Sequence, residues 1–102
     1  MKKIINGKMY NTETAKEVGK YWNGLSGRDF HSFTEHLYKK KTGEFFLYGY
    51  GGPMTKYAVS CGGNGYTGGD GFTPLTEHEA RSWCEEYLDV DEYIEVFGEP
   101  EE

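Results

Sequence analysis

The sequence is short of cysteine, of long apolar runs and, in its last quarter, of positive charge. Two cysteines in 102 residues are too few for a disulfide scaffold. No stretch approaches the ~18 consecutive apolar residues that a membrane-spanning helix needs. Lys2 and Lys3 are followed only by Ile4 and Ile5 before Asn6-Gly7. That is too little apolar chain for a secretory signal, so a cytoplasmic location is expected. A chain of 102 residues is one domain's worth. It buries only about two thirds of its unfolded surface, so its core is thin.

Aromatic residues make up for a modest apolar content. Hydrophobic residues are 36% of the chain, yet nine Tyr, six Phe and two Trp bring aromatics to 17%. Each aromatic buries roughly 150–250 Å², so an ordered domain is expected rather than a disordered acidic tail. Charge is segregated. Residues 1–76 hold ten bases and six acids, or +4, whereas residues 77–102 hold eleven carboxylates against the single Arg81, or −10. Such asymmetry points to charged partners.

Lys3–Tyr10 reads as a hairpin, because Asn6-Gly7 tolerates the positive φ of a type I′ turn. Thr14-Ala15-Lys16-Glu17 fits a capping box, and Ala15, Val18 and Trp22 follow at helical spacing. A short helix near 14–22 is therefore expected. Residues 28–40 fit either period, but aromatic Phe45–Tyr48 after the Lys41–Glu44 turn favours a second hairpin over 34–50. Met54–Ser60 reads as a third strand or a short helix. Nine glycines fall within residues 49–71, which predicts a long connection with a glycine-rich loop at about 60–72. Thr76-Glu77-His78-Glu79 is a capping box, and Ala80, Trp83, Cys84, Tyr87 and Leu88 share one helical face. Asp89 to Glu92 caps a second helix whose stripe is Val90, Tyr93, Ile94 and Phe97, with Gly98 as its stop. The expectation is a single α+β domain. Its small antiparallel sheet packs against two C-terminal helices, at about 76–88 and 90–97, and ends in a frayed acidic tail, 99–102.

Catalytic signatures are weak. Gly63–Gly68 spells G-x-G-x-x-G, but Gly69-Asp70-Gly71 and Pro74 follow where a dinucleotide site needs a helix. Cys61 has no base at a recognisable spacing, so no enzyme activity is expected. His31 and His36 are spaced H-x₄-H without a matching second pair. A zinc site from Cys61, His78 and Cys84 is the alternative to no cofactor, although Cys84 reads more simply as a buried small hydrophobe. Lys39, Lys40 and Lys41, with Tyr38, Tyr48 and Tyr50, form a candidate nucleic-acid site. The competing reading is lysines guarding a strand edge, and it is favoured because the remaining chain is acidic. Tyrosine abundance leaves homodimerisation open.

The helices carry the sharpest signal. Glu85 and Glu86 lie off the first apolar stripe, and Asp91, Glu92 and Glu95 lie off the second. Acidic residues at helix starts serve capping and the dipole, but Asp91 and Glu95 at i, i+4 repel. Carboxylates spaced about 5–6 Å apart along a helix resemble phosphates along a nucleic-acid strand and suit a basic groove. A solvated, solubilising face is the competing reading.

Several stretches together carry a resemblance. They are Ile5-Asn6-Gly7-Lys8 with Tyr10–Ala15, Leu37–Gly49, Gly51–Ala58, Pro74-Leu75-Thr76 with Glu79, Ala80 and Trp83, and Asp91-Glu92-Tyr93 with Glu95 and Phe97-Gly98. The chain resembles a family of small acidic proteins of phages, plasmids and conjugative elements in Gram-positive bacteria. Some proteins of this look are similar to anti-CRISPR inhibitors of the type II RNA-guided DNA endonuclease. The resemblance covers about two thirds of the chain and implies an inhibitor in the host bacterial cell. Such an inhibitor would use its acidic surface to block guide or target DNA loading, or a required domain movement. The family offers no catalytic motif, so no functional residue is carried over.

Overall fold

The computed structural model describes residues 1–102. The elements run β1 (Lys2–Ile5), β2 (Lys8–Asn11), β3 (Lys16–Trp22), β4 (Phe33–Lys39), β5 (Phe45–Gly51), β6 (Val59–Ser60), β7 (Tyr66–Thr67), β8 (Gly69–Leu75), α1 (Glu77–Tyr87) and α2 (Val90–Phe97). The main sheet has the order β3-β4-β5-β8 and is antiparallel throughout. Both helices pack on one of its faces, giving the expected α+β fold. Asn6 and Gly7 take the positive φ values of 51° and 78° that the first hairpin requires, pairing Ile5 with Lys8. Both helices begin with complete capping boxes, at Thr76/Glu79 and Asp89/Glu92.

The segment expected as a helix near 14–22 is instead strand β3. Gly19 lies inside it, and Val18, Tyr21 and Trp22 favour a pleated surface. An isolated helix of this length is marginal in water. As a strand it pairs along β4 from Lys16↔Lys39 to Trp22↔Thr34, with a bulge between Glu17 and Gly19. Tyr21 then stacks on Tyr87 of α1 at 4.0 Å between centroids. Gly19 leaves room for Trp83 and Leu88, since a Cβ there would lie 3.0 Å from the indole. Long-range pairing and packing outweigh the local capping signal.

The glycine-rich stretch is also more regular than a loop. Gly69–Leu75 forms the fourth strand of the main sheet, and Val59–Ser60 pairs with Tyr66–Thr67 around a tight turn. Met54–Ser60 supplies only the short β6. Gly49 and Gly71 are register partners on adjacent strands, so the helix-side face has a trench there. The Tyr57 ring fills it. A Cβ at Gly49 would collide with the Tyr57 hydroxyl, and one at Gly71 would touch its ring at 4.0 Å.

Leu37, Phe45 and Leu47 of the sheet meet Ala80, Trp83 and Cys84 of α1 in the core between the layers. The opposite face of the sheet is an aromatic layer. Phe46, fully buried, stacks with Tyr38 and Phe72 at 5.2 and 5.9 Å. Tyr10 of the N-terminal hairpin covers it edge-on at 5.4 Å. Replacing Gly49 with Ala should cost about 1–3 kcal/mol, because an overpacked side chain must push Tyr57 from its trench. Gly27→Ala, where a Cβ meets nothing within 4 Å, should be near neutral. Urea unfolding of the two variants checks this.

Candidate functional site

The apolar stripe of α1 turns toward the sheet, with Ala80, Trp83 and Cys84 buried; from α2 it is Tyr93, Val96 and Phe97 that pack on this core, whereas Val90, expected in the α2 stripe, is exposed. That orientation leaves Glu85, Glu86, Asp91, Glu92 and Glu95 exposed. None of the five forms an ion pair within 4.0 Å; the only pair on the helices is Arg81–Glu77 at 3.5 Å. The Arg81 guanidinium is otherwise occupied, donating to the Tyr93 hydroxyl at 3.2 Å and lying 4.4 Å over the Phe97 ring. Glu92 uses one oxygen to accept the Asp89 N–H at 3.2 Å. The lysines that do pair serve Glu44, in the turn before β5, and Glu35 of β4. The helical face is therefore acidic without internal neutralisation, beyond the modest help that Asp91 and Glu92 gain from the α2 N-terminus.

The lysine cluster is largely absorbed by its own neighbours. Lys39 lies 5.5 Å over Phe45, and Lys40 lies 3.8 Å over Tyr10. Lys40 also approaches Glu44 at 3.8 Å with its side chain only 14% exposed. Tyr48 is nearly buried and donates to Asp70 at 2.8 Å; burial, then this bond, pushes its phenol up to about 12. Only Tyr50, at the far end of β5, is open to solvent. The structure does not bring Cys61, His78 and Cys84 together, and no group of three His, Cys, Asp or Glu side chains is placed to hold a metal ion. Cys84 lies in the core, and its thiol is pushed up to about 11 by burial and then by Glu85 and Glu92.

Two features escaped the sequence reading. At the end of the sheet, between the β3–β4 connection and the end of β5, a cleft of about 620 Å³ is lined by Trp22, Arg28, Phe30 and Tyr50 among others. These three rings are exposed, and Arg28 makes no ion pair. The second feature is Glu35, which is 1% exposed on the helix-facing side of β4. Its carboxylate accepts from Tyr57 Oη at 2.5 Å and from Trp83 Nε1 at 2.9 Å, and it pairs with Lys56 Nζ at 2.5 Å. Burial disfavours its charge, but Lys56, Tyr57 and Trp83 outweigh that and hold the carboxyl below its usual range. The signal for it was a carboxylate in register with Phe33 and Leu37, where an apolar residue belongs.

Unfolded, Glu35 titrates near ~4.3; folded, it titrates lower. Its stabilising contribution is therefore fully present above that value and is lost as pH falls through the folded one. Glu35→Gln should cost about 1–3 kcal/mol at neutral pH and should flatten the acid limb of stability against pH. Denaturant unfolding between pH 3 and pH 7 of both proteins reads this, and an unchanged acid limb would separate the fold from that charge.

These features rest on the chain's own geometry, since no family model, curated protein or solved structure matches the sequence.

Proposed function

We propose that the chain is a non-catalytic inhibitor that docks the acidic face of α1 and α2 onto the cationic surface of a nucleic-acid-handling protein. The partner class follows from the resemblance noted in the sequence: a type II RNA-guided DNA endonuclease, whose guide and target lie in positively charged channels. Occupying such a channel would block guide or target loading or a required conformational step, an anti-CRISPR activity. The observation that carries this reading is that Glu85, Glu86, Asp91 and Glu95 are exposed and meet no cation of the chain itself. A face left unneutralised on the folded molecule is available for electrostatic steering and docking.

A second reading rests on the cleft. Exposed Trp22, Phe30 and Tyr50 beside unpaired Arg28 suit stacking of single-stranded bases with a phosphate on the guanidinium. It describes a nucleic-acid-binding accessory protein of a mobile element. The site is displaced from Lys39–Lys41, two of which stack on the chain's own rings.

Pulldown of the purified endonuclease, with and without guide RNA, tests the first reading. A complex should form at low salt and weaken steeply as ionic strength rises. Changing Glu85, Glu86, Asp91, Glu92 and Glu95 to Gln or Asn should leave the fold intact and abolish capture. Absence of a complex at low salt, or capture that survives neutralisation, would overturn it. A gel shift of single-stranded DNA by the chain alone, lost on Trp22→Ala, would favour the second reading.

A further inference from the structure

The acidic face has an apolar opening. Helix α2 is amphipathic, yet none of its residues is fully buried, and Val90 in its first turn is 72% exposed. Between the end of α1, α2 and the C-terminal tail lies a slot of about 320 Å³ whose walls include Leu88, Val90, Tyr93, Ile94 and Pro100. Its only charged lining groups are Glu85 and Asp89. Uniform carboxylates would steer any cation, but they would not need an apolar hollow between them.

We propose that this slot seats an apolar side chain from a protein segment that carries Lys or Arg on either side, such as a basic amphipathic helix or loop. The inference rests on the acidic-docking reading and makes its partner more specific. The charge of the rim selects the occupant. A second copy would set carboxylate against carboxylate, and a nucleic acid or an anionic lipid surface would be repelled. A cationic segment is attracted, and its apolar residue gains burial against Val90 and Ile94, the helix-in-groove mode of recognition. Long-range attraction then sets encounter and the slot adds residence, so that binding weakens with salt but a residual apolar part of the affinity remains where the charges are screened.

Two labelled peptides of equal positive charge test this by fluorescence anisotropy on the full chain. One is an amphipathic helix of Leu and Lys, and the other has every Leu replaced by Ser. At about 150 mM NaCl the Leu–Lys peptide should bind about tenfold more tightly than its Ser counterpart, and Val90→Ser should remove most of that advantage. Met54→Ser, at a residue 61% exposed elsewhere on the surface, should change nothing. Equal binding of the two peptides, or an unaffected Val90→Ser variant, overturns the slot. If both peptides are then weakened by neutralising Glu85, Glu86, Asp91 and Glu95, the acidic-docking reading stands without it. Failure of both peptides to bind at about 20 mM NaCl overturns both.

Discussion

The carboxylate of Glu35 is where the layers of this protein meet. It projects from β4, is bonded by Trp83 of α1 and by Tyr57 of the glycine-rich segment, and is paired with Lys56. Burying a charge costs several kcal/mol before compensation, so the three donors must all be in place. That requirement fixes much else. Tyr57 reaches Glu35 only because Gly49 and Gly71 leave a trench across two strands. Trp83 reaches it only if α1 lies with its buried stripe on the sheet. The same orientation turns the off-stripe carboxylates of both helices outward. The polar cluster at the centre thus determines where the acidic face points.

The acidic residues divide into those that serve the fold and those that do not. Thr76, Glu79, Asp89 and Glu92 close the two capping boxes, and Glu77 meets Arg81. Glu85, Glu86 and Glu95 have no such task, and Asp91 has only the modest favour of the α2 N-terminus. Asp91 and Glu95, one helical turn apart, repel by roughly 0.2–0.5 kcal/mol. Charges that oppose the compact state and contact nothing within it are best understood through a partner. The opposite face of the sheet is different in kind, an aromatic layer closed at one end by Tyr10 and open at the other as the Trp22–Tyr50 cleft.

Much of the fold was legible because its signals are local. Asn6-Gly7 specified the first hairpin, the aromatic run Phe45–Tyr48 after the Lys41–Glu44 turn specified the second although residues 28–40 fit either period, and the capping boxes specified both helices. The misread strand β3 carried a local helix signal whose override came from β4 and α1, a decision made by pairing distant in sequence. Strand β8 was hidden by Gly69, Gly71 and Pro74. Proline is tolerated there because β8 lies at the edge of the sheet, where a missing N–H breaks no ladder. The acidic face could be read from composition, but its lack of internal cations could not. Glu35 was visible as an anomaly in the strand pattern, yet its partners Tyr57 and Trp83 lie 22 and 48 residues away.

Glu85, Glu86, Asp91 and Glu95 on α1 and α2 meet no cation within the folded chain. Thermal unfolding of the isolated protein as a function of NaCl tests this without any partner. Screening relieves self-repulsion, so the Tm should rise between about 10 and about 150 mM salt. The rise should shrink when Glu85, Glu86, Asp91 and Glu95 are changed to Gln or Asn. A Tm that falls with salt in the natural sequence would mean that these side chains are engaged in stabilising ion pairs, and would contradict the account.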